Sequence, residues 1–425
     1  MRNRRSGTRT MWVLLAALLG CAPSWANEAN YQQFIVGERA SGMGGAMCSI
    51  ANSVDACFYN PAGLARVKDN TLSISASLYG FQEMRLQDTL YPGEDTKTDT
   101  FVSIPSTFCS IWKLGTNAAF AFSAFIPQNN QIAQNQVYWM DQHFYNFSLD
   151  DQVVWLGPSY GVALSDKLYA GASAFLVYRS YYRSENMYWG NYAWANSSAY
   201  QYNTLGALSV VGLQYRPDNR WNMGVTVQTP SLPINGSGDY HFYQVVGLQE
   251  YQAADTAYAS GLDARYEIPA KITLGLGWEE PKVKSCGVDL TYHFPNKYRR
   301  LEGHYKNGAD AWYRAKNEEV VDLNIGGEYY FKKQYPFRAG FFTSFSSAPE
   351  PDPLRTDYPA QIDLYGFTTS IGTETKNMAF NLGLNFVTGS GETLSWENPN
   401  GLFQIGTGDA RETQMYVFFN TSYYF

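Results

Sequence analysis

The sequence predicts an all-β protein: a transmembrane antiparallel β-barrel of about fourteen strands with an N-terminal hatch, or plug, in its lumen. Three observations carry this. Aromatic residues make up 16% of the chain, 33 of them tyrosine, and charged residues only 16%, where ~25% is usual for soluble domains. Beyond residue 26 no apolar run approaches the ~20 residues a spanning helix needs. Instead, apolar residues alternate. Asn377 to Thr388 sets Met378, Phe380, Leu382, Leu384 and Phe386 against Asn377, Ala379, Asn381, Gly383 and Asn385. A strand points these two sets to opposite faces. In a membrane barrel the apolar face meets lipid and the polar or small face meets the lumen.

The chain opens as an export signal does. Arg2, Arg4, Arg5 and Arg9 precede the apolar run Met11–Gly20, and Ser24-Trp25-Ala26 offers small residues for cleavage. Residues 1–26 are therefore expected to be a removed signal peptide. A rival reading takes Leu18-Leu19-Gly20-Cys21 as a lipoprotein site, which Leu19 fits less well. Loss of the four positive charges takes the formal net charge from -7 to -11. An acidic chain argues against nucleic acid as a partner, which would want a basic face. Cys48, Cys57, Cys109 and Cys286 remain, and an exported chain can oxidise them. Cys48 and Cys57 are near enough in sequence for a small disulfide loop; isolated thiols are the other reading.

Strands are expected near 71–80, 101–112, 117–126, 151–164, 168–180, 202–216, 221–229, 263–279, 284–295, 319–332, 335–346, 358–373, 376–388 and 410–425. Thr71–Leu78 and Trp221–Gln228 repeat the alternation. Connectors alternate in length. Long ones fall near 81–100, 127–150, 181–201, 230–262, 296–318, 347–357 and 389–409, and short ones between them. Sorting of short turns to one end and long loops to the other is bacterial outer-membrane anatomy, with the short turns periplasmic. Residues 27–70 would then begin in the periplasm as the hatch, and 71–425 form the barrel. The chain closes Met415-Tyr-Val-Phe-Phe-Asn-Thr-Ser-Tyr-Tyr-Phe425. A last strand ending on an aromatic resembles the signal read by the barrel assembly machinery, so that machinery and outer-membrane lipid are expected partners.

Little points to catalysis. Gly42-Met43-Gly44-Gly45 fails as a dinucleotide loop, because the sixth position of the motif is Met47 and no strand precedes it. His143, His241, His293 and His304 lack a metal-ligand spacing, and no nucleophile elbow occurs. The expectation is no enzyme, no metal and no cofactor. One loop stands out: in Tyr181–Tyr202, Tyr188, Trp189, Tyr192 and Trp194 crowd a segment expected outside the cell. Pro230–Leu262 adds Tyr240, Phe242 and Tyr243. Such exposed aromatics mark a capture surface for an apolar ligand, or form an aromatic girdle.

Asn27–Asn70 lacks alternation and is rich in small residues, as a segment packed inside a lumen must be. Its stretch "GERASGMGGAMCSIANSVDACFYNPAGLARV" resembles the hatch of the FadL-type channels for long-chain fatty acids and hydrophobic compounds. Gly37, Arg39, Ala40, Gly42, Gly44, Gly45 and Ala46 match, then Asn60, Pro61, Ala62, Gly63 and Leu64. Ile268–Gly275 and Phe337–Phe341 extend the likeness. The resemblance implies passive uptake: capture between the third and fourth outer loops, a lumen site against the hatch, and lateral exit beside a kinked third strand, here Asn117–Ile126. The runner-up is a non-transport barrel of the same class, such as a type IX secretion cargo shuttle. Pro127-Gln128-Asn129 departs from the family's Pro-Phe-Gly, and no motif anchors residues for a fatty-acid carboxylate.

Overall fold

Among the described residues, twenty strand segments join edge to edge into one sheet, which closes as a barrel of fourteen antiparallel staves. The computed structural model describes residues 29–75, 78–91, 93–104, 107–138, 143–189, 194–248, 251–305, 310–353, 359–397 and 404–425. The expected signal peptide, with Cys21, and Tyr192 lie outside the described residues. In chain order the staves are β1 (Thr71–Ser75) continued by β2 (Leu78–Tyr91); β3 (Glu94–Ile104) continued by β4 (Thr107–Leu114); β5 (Ala118–Tyr138); β6 (His143–Ala163); β7 (Leu168–Trp189); β8 (Trp194–Tyr215); β9 (Trp221–Gln228) continued by β10 (Leu232–Leu248); β11 (Tyr251–Ala264) continued by β12 (Lys271–Glu280); β13 (Lys284–His293) continued by β14 (Asn296–His304); β15 (Asp310–Asn317) continued by β16 (Val320–Phe331); β17 (Tyr335–Ser344); β18 (Gln361–Glu374); β19 (Met378–Glu397); and β20 (Gln404–Tyr424). The seam closes where β1 and β2 pair with β20, through Thr71–Tyr424 and Tyr79–Val417. Closure removes the free edges that would leave backbone groups unpaired in lipid.

The expected alternation holds across the wall. Leu384 is 47% exposed and its neighbour Asn385 is 1% exposed. On β1, Leu72 and Ile74 face out while Thr71 and Ser73 are buried. On β20, Met415, Val417 and Tyr423 face out, and Phe425 just beyond is exposed too. The outer surface is thus apolar through the height a bilayer would occupy.

The staves are taller than the sequence suggested. β5 and β6 have 21 residues each, and β7 and β8 have 22, whereas ~10 tilted residues cross a bilayer. Most of the expected long loops at 81–100, 127–150, 181–201 and 230–262 are therefore hairpin arms, not loops. Above a bilayer neither face must be apolar, so the period-two signal fades, while backbone donors and acceptors still need partners. The stretch between β17 and β18 remains a long connection and turns inward at Ser346–Ala348.

That inward turn corrects a second expectation. Asn30 bridges to Ser346, and Ser347 N donates to Ala29 O at 2.9 Å. Ala29 and Asn30 thus meet the end of β17 opposite its short turn. The segment starts high inside the lumen and descends to β1, rather than starting at the short-turn end. From Gln33 to Ala51 every residue is buried.

Candidate functional site

Local chemistry shapes the lumen segment. Gly37 has φ of +112°, and a Cβ there would stand 2.1 Å from Asp55 Oδ1, so no other residue fits beside that carboxylate. Asp55 accepts backbone N–H groups from Glu38 (2.6 Å), Arg39 (2.9 Å) and Ala40 (3.1 Å) at the start of the helical turn Arg39–Gly42. Burial raises the Asp55 carboxyl above its ordinary value, opposed by those N–H groups. Asn60 caps the 3-10 helix Pro61–Arg66 by accepting from Ala62 N at 3.1 Å, with Pro61 at the first position. Its amide also donates to Cys48 O (2.6 Å) and to Leu213 O on the wall (3.0 Å). The Asn-Pro-Ala tripeptide is therefore a cap, a helix start and a wall contact.

The wall meets this segment with glycines in register. Gly161, Gly171 and Gly212 sit side by side on β6, β7 and β8. Gly224 and Gly275 do so on β9 and β12, and Gly287, Gly326 and Gly340 on β13, β16 and β17. A Cβ on Gly171 would fall 2.3 Å from the Pro61 carbonyl carbon, and one on Gly340 would fall 2.2 Å from Gly44 N. Backbone packs on backbone here. Thr368 Oγ1 accepts from Gly44 N at 2.9 Å, and Asn324 Nδ2 donates to Gly44 O at 2.6 Å. A Cβ on Gly42 would meet Ser370 Oγ, and one on Gly45 would press on Asn324 Nδ2.

A charge network fixes the orientation. Arg39 pairs with Glu328 on β16 at 3.0 Å and Glu279 on β12 at 3.5 Å, and donates to Ile50 O at 3.2 Å and Ser285 Oγ at 2.8 Å. Arg66 holds Glu279 from the other side at 2.6 Å. Arg338 holds Glu328 at 2.6 Å and Glu374 at 3.1 Å. Glu38 accepts from Asn381 at 3.0 Å and from Ser422. Desolvation of each ion costs several kcal/mol, offset only when partners are in place. The network therefore favours one seating of the segment.

Aromatic side chains pack against the segment and one another. Phe58 meets Phe125 and Trp155, each at 5.3 Å between centroids, and Phe175 joins both at 6.0 and 5.7 Å. Higher on β7, Arg179 is buried in a two-pronged pair with Asp151, at 2.7 and 2.9 Å. Its guanidinium lies 4.8 Å from the Tyr181 ring centre and 4.3 Å from that of Tyr266. Tyr181 stacks on Tyr202 at 4.7 Å. Tyr200, Tyr240 and Tyr313 continue upward, with Tyr240 5.5 Å from Tyr313. Beside Phe125 the wall is irregular. The β4–β5 ladder ends at Thr107–Phe125, and the β5–β6 register shifts between Phe125 and Gln128, across Ile126-Pro127.

The aromatics singled out in the sequence divide. Tyr188 and Trp189 end β7, Trp194 begins β8, and Tyr240, Phe242 and Tyr243 lie within β10. They stand on strands rather than loops. Pairing of Tyr188 with Ala195 and of Ala195 with Val245 places the two hairpins side by side. Tyr240 and Phe242 share the partly buried side, while Tyr188 and Tyr243 are on the exposed side. Glu279, Glu328 and the Phe125–Trp155–Phe175 cluster were missed in the sequence, as were the roles of Asp55 and Arg338 within their motifs, because their partners are distant along it. For Cys48 and Cys57 the geometry offers no mutual bond. Cys48 Sγ points to Thr273 O at 3.6 Å, Cys57 Sγ lies 3.7 Å from Cys109 Sγ, and all four described cysteines are free.

No protein-family model matches the chain, and no curated protein does. Solved structures do. A FadL homologue from Pseudomonas aeruginosa has TM-score 0.69 at 15% identity, covering 93% of this chain and 100% of its own. The toluene transporter TodX of P. putida has TM-score 0.68 at 14% identity, covering 93% and 99%. The toluene transporter TbuX of Ralstonia pickettii has TM-score 0.64 at 14% identity, covering 94% and 99%. These neighbours define the class: the chain has the FadL-type barrel fold. The neighbours named for an activity are transporters rather than enzymes.

Proposed function

We propose that this protein is an outer-membrane channel for passive uptake of hydrophobic compounds, aromatic hydrocarbons or long-chain fatty acids, and is not an enzyme. The carrying observation is the aromatic cluster Phe58–Phe125–Trp155–Phe175, packed between a buried segment and the wall of a barrel with an apolar exterior. The names of the structural neighbours support the same substrate class.

Residues 27–70 act as the hatch. Its backbone lies against wall glycines, so it obstructs the axial route for polar solutes. A ligand enters between the tall hairpins, where Tyr240, with Phe242 on its face of β10, offers apolar rings with a polar tip. It moves from tyrosines into the Phe and Trp cluster, gaining ~25 cal/mol for each Å² of apolar surface buried. Arg179 is matched by Asp151 and Arg183 is paired with Glu185, whereas the Lys271 ammonium lies 5.7 Å from the Phe58 ring. Exit is lateral, through the irregular wall at Ile126-Pro127, where a proline offers no N–H to the ladder. An apolar solute thereby reaches lipid without crossing the hatch.

The test is uptake into liposomes holding the purified barrel, with a labelled monoaromatic hydrocarbon and a labelled long-chain fatty acid. Faster entry of either than into empty liposomes, with no leak of small sugars, is the expected result. Equal rates with and without protein, and no ligand binding to the barrel in detergent, overturn the reading.

A further inference from the structure

We propose that Cys57 and Cys109 are a disulfide site that links the lumen segment to the barrel wall, an inference resting on the reading of the chain as an exported barrel protein. The two sulfurs are 3.7 Å apart, 52 residues apart in sequence, and both residues are fully buried. One lies in the helical turn Ala56–Tyr59 of the lumen segment and the other on β4. A disulfide needs ~2.05 Å between sulfurs, within reach of side-chain rotation at two neighbouring thiols. Both backbones are already held. Cys57 O accepts from Ser173 Oγ of β7 at 2.8 Å. Cys109 is paired with Ser73 of β1 and Ser123 of β5. Cys48 and Cys286 have no such partner among the described residues: Cys48 faces a carbonyl, and Cys286 is exposed.

The chemistry balances with a disulfide oxidant of the exchange type. The Cys57 thiolate attacks one sulfur of the oxidant and expels the other as a thiolate. The Cys109 thiolate then attacks the Cys57 sulfur of the mixed disulfide and expels the second oxidant thiolate. Two protons leave the protein, two electrons pass to the oxidant, and the oxidant departs as a dithiol. Because both sulfurs are sealed in the seated segment, the exchange belongs to assembly, before the segment closes over β4. Once formed, the bond forbids ejection of the segment as a route for ligand.

The experiment uses full-length protein from cells, alkylated in denaturant without reductant and digested for mass spectrometry. The expected result is a linked pair of peptides carrying Cys57 and Cys109, lost on dithiothreitol treatment and absent in Cys57→Ser and Cys109→Ser, but retained in Cys48→Ser. Cys57→Ser should leave Cys109 fully alkylated. Alkylation of both cysteines in unreduced wild-type protein from an outer-membrane fraction overturns the proposal. If fractionation places the protein in a reducing compartment, the functional reading fails separately, and the site is decided by folding the chain from urea in detergent with oxidised glutathione. Linkage of Cys57 to Cys109 there upholds the site, and any other outcome overturns it.

Discussion

Gly340 of β17 and Gly44 of the lumen segment meet backbone to backbone: a Cβ on Gly340 would stand 2.2 Å from the Gly44 nitrogen. Neither side of this contact has a flexible atom to give way. Gly44 itself has φ of +60° and lies 2.8 Å, by the same measure, from the Phe341 backbone. Seating of the segment therefore depends on the absence of side chains from two elements far apart in sequence.

Gly340→Ala should unseat the segment locally, at a cost of about 1–3 kcal/mol as for an overpacked core. Liposome swelling with small sugars should report a leak that the wild type lacks. Gly327→Ala is the control, since its Cβ would meet only Ser285 O at 3.8 Å, an ordinary contact. A tight barrel in both variants would show that the glycine contact does not seal the lumen.

Arg39→Ala should weaken the seating by about 3 kcal/mol, the low end for breaking a buried ion pair. Glu328 keeps Arg338 and Glu279 keeps Arg66, so neither carboxylate is stranded. Limited proteolysis between residues 29 and 70 should quicken, and Arg39→Lys should restore protection only in part, because an ammonium cannot span Glu279, Glu328 and Ser285 as the planar guanidinium does.

In the aromatic cluster, Phe175→Ala removes a fully buried ring that touches both Phe125 and Trp155. Affinity for a neutral aromatic ligand in detergent should fall about tenfold, the equivalent of ~1.4 kcal/mol. Tyr240→Ser should weaken capture measurably, whereas Tyr243→Ser, on the outward face of the same strand, should not. Equal effects of the last two variants would place capture on the outside of the hairpins.

The barrel was legible because period-two alternation is forced by lipid on one face, as at Leu382, Leu384 and Phe386. The tall arms were not, because above the bilayer nothing imposes that period, and Tyr188 and Tyr240 read as loop residues though both sit on strands. The lumen segment betrayed itself by its small residues, but its direction did not, since nothing in Ala29–Asn30 names Ser346 as partner. Gly37 was visible and Asp55 was not, though each requires the other. Fixing that pair takes the turn between them, and a turn of this kind leaves no periodic trace. The wall glycines were hidden for a like reason: each is one small residue on a polar-facing row, and only the register across staves makes them a belt.

Glu38 gives the seating a pH dependence with a definite sign. Burial pushes its carboxyl from 4.5 up to about 7; the Ser422 hydroxyl and Arg338 pull it down, while Asp55 and Glu374 push it further up. The folded state then holds a proton that the unfolded chain releases. Between pH 4.5 and about 7 the folded form binds more protons, so stability falls as pH rises, and it levels off above 7. The full swing is on the order of 3 kcal/mol at ~1.4 kcal/mol per pKa unit. Glu38→Gln mimics the protonated acid, still accepting from Asn381 while its amide faces the Ser422 oxygen. The variant should match the wild type near pH 4.5 and resist proteolysis of the lumen segment better at pH 8. Protection of the wild type that rises with pH over this window, or a variant weaker at both values, would mean that Glu38 is seated as the carboxylate, with Asn381 and Ser422 outweighing its burial.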